Sequence, residues 1–69
     1  MAEHYYVNDT AQPNGDHEVH AQNCYWLGQA RSTTYLGLFA TCREAVAAAR
    51  RHYRQCNGCV HCAAACHTS

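Results

Sequence analysis

Six cysteines in a chain of 69 residues constrain this sequence more than any other feature, because they are unevenly placed. Four of them, Cys56, Cys59, Cys62 and Cys66, crowd the C-terminal stretch, and Cys59-Val60-His61-Cys62 is a Cys-x2-Cys knuckle. A second element, His20-Ala21-Gln22-Asn23-Cys24, supplies His-x3-Cys from the first third of the chain. Together the two pairs offer three thiolates and one imidazole, a ligand set suited to a closed tetrahedral zinc site. The predicted ligands are therefore His20, Cys24, Cys59 and Cys62, with zinc as the expected cofactor.

Such a staple answers a need. A chain this short makes one domain, residues 1–69, and a core of this size supplies only about 3–5 kcal/mol on its own. Ile is absent, Phe39 is the only Phe, and the apolar residues are largely Ala, Tyr and Cys. Structural zinc in small peptides contributes on the order of 10–16 kcal/mol. Closing the long loop between the two ligand pairs is where a crosslink helps a thin core most.

Three other uses of the thiols compete. Cys66 or His67 can replace one favoured ligand, with Cys24, Cys59, Cys62 and Cys66 as the next arrangement. Cys56, Cys59, Cys62 and Cys66 reproduce the Cys-x2-Cys-x2-Cys-x3-Cys spacing of bacterial ferredoxins, so an iron–sulfur centre is an alternative, although His67 follows where Pro is usual. A secreted disulfide framework fits the even count. Against it, Met1-Ala2-Glu3-His4 opens with no basic region and no apolar run follows, so the expectation is a reducing cytoplasm. Cys42, on an apolar helix face, reads as a small core residue. His4, His17 and His52 carry no ligand spacing, and His61 is expected to flank the metal.

The expected fold class is α+β: an antiparallel hairpin and a third strand packed on one helix. His4 to Ala11 has strand composition, Gln12-Pro13-Asn14-Gly15 is a turn, and Asp16 to His20 returns, giving a hairpin over residues 4–20. Tyr25-Trp26-Leu27 is expected to pack beside the metal and under the helix, with residues 28–33 as loop. Residues 34–39 read as the third strand, Tyr35, Gly37 and Phe39 on one face and Leu36 and Leu38 on the other. Thr41-Cys42-Arg43-Glu44 matches a capping box, opening a helix over about residues 41–55 with a buried stripe of Cys42, Val46, Ala49, Tyr53 and Cys56. Asn57-Gly58 reads as a left-handed helix stop. The tail from Ala63 is left without an assigned element.

Charge bounds the partners. No apolar run approaches the ~20 residues of a membrane span, so no membrane association is expected. Net charge is zero, which argues against nonspecific nucleic-acid binding. The charges are segregated, however, with Glu3, Asp9, Asp16 and Glu18 early and Arg43, Arg50, Arg51 and Arg54 late. The Arg side is expected to be a solvated face; a phosphate, nucleic-acid or acidic-partner contact through Arg43, Arg50 and Arg54 is the alternative.

The succession of an x-x-x-Cys knuckle, the Tyr-Leu-Gly-Leu-Phe strand, the Thr-x-x-Glu-Ala-Val helix and Cys-x-x-Cys resembles the Ada-type metal-binding domain of bacterial DNA-alkylation repair proteins, over about residues 16–62. That resemblance implies a small zinc-stapled α+β fold. The family binds zinc through Cys-x3-Cys and Cys-x2-Cys, and its first cysteine accepts methyl groups from phosphotriesters. His20 stands at that first position here, so the methyl acceptor is missing. Asn14 to His20, Asn57-Gly58-Cys59 and Cys66 to Ser69 are also similar to short bacterial Cys/His-rich proteins, which supply no activity. Two functions follow as expectations. One is a noncatalytic zinc-binding interaction module with a protein partner. The other is a thiol-based redox or alkyl-acceptor domain using Cys24, Cys59, Cys62 or a free Cys66.

Overall fold

A computed structural model describes residues 2–67; Met1 and the tail residues Thr68 and Ser69 lie outside the described part. Four strands form one mixed sheet in the order β3-β1-β2-β4, with β1 Glu3–Asn8, β2 His17–Ala21, β3 Thr33–Phe39 and β4 Cys56–Gly58. Two helices, α1 Tyr25–Gln29 and α2 Cys42–Ala49, and a 3-10 turn Ala64–Cys66 complete it. The chain is a small α+β domain.

The hairpin forms as its turn chemistry dictates. Gly15 N–H donates to Gln12 O at 2.7 Å, Gly15 takes φ +94°, and Asn14 Oδ1 accepts from Asp16 N–H at 3.0 Å. The strands then pair antiparallel, Tyr6 opposite His20 and Val7 opposite Val19. This register sends Tyr5, Val7, Val19 and Ala21 to one face, where Ala45, Val46 and Ala49 of α2 cover them. Val7, Val19, Ala45 and Ala49 have no exposed surface, so a core of small side chains is tightly closed rather than large.

β3 departs from simple alternation. Its pairing with β1 shifts between Tyr5 and Tyr6, and Gly37 sits at φ +135°, a bulge that only glycine accepts without strain. The slip turns Leu36 and Phe39 both towards the core and leaves Leu38 exposed. The expected pairing of Leu36 with Leu38 on one face is thereby corrected.

α2 opens on the expected capping box. Thr41 Oγ1 accepts from Glu44 N–H at 3.3 Å, and Glu44 Oε1 accepts from Thr41 N–H at 3.2 Å. It ends at Ala49, earlier than expected. Arg51 and His52 N–H donate three residues back, to Ala48 and Ala49, tightening the last turn. Tyr53 is held away from the helix axis: its ring stacks on His17 with centroids 3.8 Å apart, and its hydroxyl donates to Asp9 Oδ1 at 2.8 Å. Cys56 is consequently not a helix residue, and Asn57-Gly58 is not a left-handed stop. Both belong to β4, which pairs parallel with β2, His17 opposite Cys56 and Val19 opposite Gly58.

Candidate metal centre

β4 delivers the knuckle to its place. Cys59 N–H donates to Val19 O at 3.0 Å, extending the parallel ladder one step, so the first knuckle cysteine arrives beside His20. The chain then turns, with Ala63 N–H donating to Cys59 O at 2.8 Å and His61 N–H to Cys59 Sγ at 3.4 Å. At the end of β2, Cys24 N–H donates to Ala21 O at 3.1 Å, closing a turn that brings Cys24 back towards His20. Two chain reversals, one on each of two neighbouring strands, therefore face one another.

The result is a compact donor cluster. One ligand atom from each of His20, Cys24, Cys59 and Cys62 lies within 4.8 Å of every other. Cys24 and Cys59 Sγ are 4.0 Å apart, and Cys62 Sγ is 4.0 Å from His20 Nδ1. Zinc–sulfur bonds of about 2.3 Å in a tetrahedron place sulfurs about 3.8 Å apart, so a small contraction seats the ion. His20 and Cys59 are each 1 % exposed, whereas Cys24 and Cys62 are partly buried. With Nδ1 turned inward, His20 Nε2 points to Glu18 Oε1 at 3.7 Å. A carboxylate behind a ligating imidazole fixes its tautomer and raises its basicity.

Electrostatics agree with the geometry. Burial, partly opposed by Glu18, lowers the His20 pKa, so its ring is held neutral and able to ligate. Burial also pushes the Cys62 thiol up to about 12, against the Ala21 N–H that donates to its sulfur at 3.3 Å. Cys24 moves the other way. Burial raises its pKa, but hydrogen bonding from Cys62, from the Trp26 and Leu27 amides and from Cys59 together lowers it. Three sulfurs this close cannot all carry charge in a dry site without a cation. A divalent ion removes that conflict, and the donor set can hold one.

The rival ligands lie elsewhere. Cys66 is bonded to Cys42, Sγ to Sγ, and His67 Nδ1 is hydrogen-bonded to Gly58 O at 3.0 Å. Neither is a substitute ligand. Cys56 donates its thiol proton to Tyr53 O at 3.2 Å, and burial raises its pKa. The ferredoxin-type set is thus divided between the cluster, the core and a disulfide. Cys42 packs against the core as expected, but the bridge corrects the expectation of thiols without disulfides and of a free Cys66: one pair is a disulfide and four thiols are free.

Around the cluster, His61 flanks as expected, stacked on Trp26 with centroids 5.6 Å apart. Tyr25-Trp26-Leu27 does not lie under α2. It forms the short α1, which buries no residue, with Tyr25 69 % and Trp26 46 % exposed. Trp26, Val60 and His61 line an open groove of ≈ 380 Å³ that Glu18 and His20 also line. His4 and His17 are hydrogen-bonded, to Tyr35 Oη and Asn8 O, and His52 is exposed.

Sequence reasoning missed Asp9. It accepts from Ser32 Oγ and Thr34 Oγ1 at 2.7 Å each and from Tyr53 Oη at 2.8 Å. These bonds, that from Ser32 first, hold its carboxyl below the usual range. An acidic residue leaving a strand opposite a Ser-Thr-Thr run was the available signal. Among the described residues no helix is long and apolar enough to cross a membrane. Comparison with protein-family models, characterised proteins and solved structures finds no match for the chain.

Proposed function

We propose that this chain is a noncatalytic zinc-binding domain in which His20, Cys24, Cys59 and Cys62 hold one structural ion. The observation that carries the proposal is the convergence of four donor atoms within 4.8 Å from two chain reversals that are far apart in sequence. Three soft thiolates and an imidazole suit zinc, and four protein ligands leave no open coordination position for a reaction. The layout shared with Ada-type domains is compatible with this reading, and His20 at the first ligand position argues against methyl acceptance there. The role is that of an interaction module for a protein partner. Its support is the group of exposed Tyr25, Trp26 and Val60 beside the knuckle, since exposed Trp and Tyr are favoured binding anchors.

Native mass spectrometry with elemental analysis tests the proposal. One zinc per chain, lost on chelation, is expected. A metal-free protein with Cys24, Cys59 or Cys62 tied to another sulfur would end it. A second reading, a thiol-based alkyl-acceptor or redox domain, draws on the partial exposure and lowered pKa of Cys24. Selective alkylation of Cys24 at neutral pH in the zinc-loaded protein would favour it, and slow uniform labelling would count against it.

A further inference from the structure

The Cys42–Cys66 bridge joins the first residue of α2 to the 3-10 turn Ala64–Cys66. Both cysteines are only partly buried, and the bridge borders two surface grooves. One, of ≈ 200 Å³, is lined by Arg43, Val46, Arg50, Ala65 and Cys66. The other, of ≈ 360 Å³, is lined by Thr41, Cys42, Arg43, Ala65 and Cys66. Cys66 and Arg43 therefore border both, and no carboxylate lines either. Arg43 and Arg50 are exposed, and neither makes an ion pair among the described residues. An accessible disulfide between uncompensated guanidiniums attracts a nucleophile that is itself anionic.

We infer that this bridge is an exchange site for small anionic thiols, molecules that carry a carboxylate or sulfonate besides the sulfur. The small thiol loses its proton to solvent, and its thiolate attacks Cys66 Sγ, forming a new S–S bond. The Cys42–Cys66 bond breaks, and its electron pair leaves on Cys42 Sγ. That residue is the first of α2, where the positive end of the helix dipole and the neighbouring Arg43 stabilise a thiolate. A better leaving thiolate is displaced faster, which sets the polarity of attack towards Cys66. A second small thiolate attacks the small-molecule sulfur of the mixed disulfide, releasing Cys66 thiolate and the small-molecule disulfide. Two external thiols are oxidised, the bridge takes two electrons, and the released thiolates exchange protons with solvent. The cluster thiols form such adducts only with the small-molecule disulfide released at the last step, so the adduct seen before that product accumulates reports the bridge alone.

The test uses the full zinc-loaded chain with three reductants: 2-mercaptoethanesulfonate, 2-mercaptoethanol and cysteamine. Reactions are quenched with acid and a maleimide, mapped by peptide mass spectrometry, and expressed per thiolate after correction for nucleophilicity. Sulfonate should react fastest and cysteamine slowest, by roughly three- to fivefold per unit of charge at low salt, converging at high salt. The adduct should map to Cys66. Arg43→Gln with Arg50→Gln, both exposed and away from the metal ligands, should remove most of the preference while zinc content stays unchanged. Untreated protein without a Cys42–Cys66 peptide, equal corrected rates, an adduct on Cys42, or a charge preference surviving the double substitution would each overturn the inference.

Discussion

Replacing Gly58 with alanine tests how the candidate centre is held in place. Gly58 closes β4 and directly precedes the candidate ligand Cys59. A Cβ there would meet Cys66 Cβ at 2.8 Å, Ala63 O at 2.9 Å and Cys66 C at 3.0 Å. Ordinary contacts begin some half an ångström further out, and two of the three atoms are backbone, so no rotamer change relieves the clash. Nor can Cys66 simply retreat, because its sulfur is bonded to Cys42 on α2. Overpacking of this kind costs about 1–3 kcal/mol, and the rigid surroundings place this case at the upper end. In a domain of this size each kcal/mol moves the melting point by about 4–8 °C. Gly58→Ala should therefore lower Tm by about 8–24 °C for the zinc-loaded protein, followed by circular dichroism. It should also weaken zinc binding in a competition with a chromogenic chelator, since any yielding at Gly58 displaces Cys59. Conformational preference is not the cause, because Gly58 is not among the glycines with positive φ. A variant melting within 2 °C of the parent, with unchanged metal affinity, would refute the packing of the tail turn against β4.

Other perturbations separate the remaining contributions. His20→Ala should abolish stoichiometric zinc binding at micromolar concentrations, whereas His20→Cys should retain it, because a fourth thiolate completes a tetrahedral set; both are read by zinc content after gel filtration. Asp9→Ala strips partners from Ser32, Thr34 and Tyr53 at once and should cost about 1–3 kcal/mol, measured by urea unfolding, with zinc content unchanged. Acid should destabilise the protein below about pH 6.5, for two reasons of the same sign. The folded His20 pKa is lowered, so the stability it contributes is full above the unfolded value near 6.5 and is lost as pH falls. Thiolate ligands also take up protons and release the ion in acid. A melting point flat between pH 7 and pH 5 would contradict both.

Which parts of this architecture could be seen in the sequence depended on how locally they are encoded. The hairpin was legible because Pro13, Asn14 and Gly15 specify the turn without help from elsewhere. The capping box was legible for the same reason, since Thr41 and Glu44 satisfy each other's backbone. The four donors were legible from spacing alone, as each pair brackets a chain reversal. β4 was not: Cys56-Asn57-Gly58 has neither length nor alternation, and it exists only through ladder bonds to β2. The Leu36 slip was hidden because alternation counts residues and cannot see a bulge; Gly37 inside a strand was its one visible mark. The helix was overextended because Tyr53 and Cys56 continue its apolar period, while the pull of His17 and Asp9 on Tyr53 acts across more than thirty residues. Cysteine connectivity cannot be deduced from a sequence at all, and the bridge to Cys42 follows only from the fold.

The disulfide and the proposed zinc ion would act on the same short segment and should not be interchangeable. Residues 59–66 contain little regular structure; at one end Cys59 and Cys62 lie beside His20 and Cys24 at the end of β2, and at the other Cys66 is bonded to Cys42 of α2. The disulfide closes a separation of 24 residues, which in the chain-entropy model is worth about 3–4 kcal/mol. A structural zinc is worth on the order of 10–16 kcal/mol, and as a crosslink it would add to the hydrogen bonds that join the C-terminal segment to β2. Chelation should therefore unfold the protein even with the bridge intact, because the bridge ties the C-terminal segment to α2 and not to the turn that carries His20 and Cys24. Reduction with the ion in place should lower the melting point but leave the far-ultraviolet spectrum unchanged. Circular dichroism under chelator alone, reductant alone and both reads the order of failure directly. Unfolding by reductant with zinc still bound, or a native spectrum after chelation, would reverse the assignment of the metal as the principal staple.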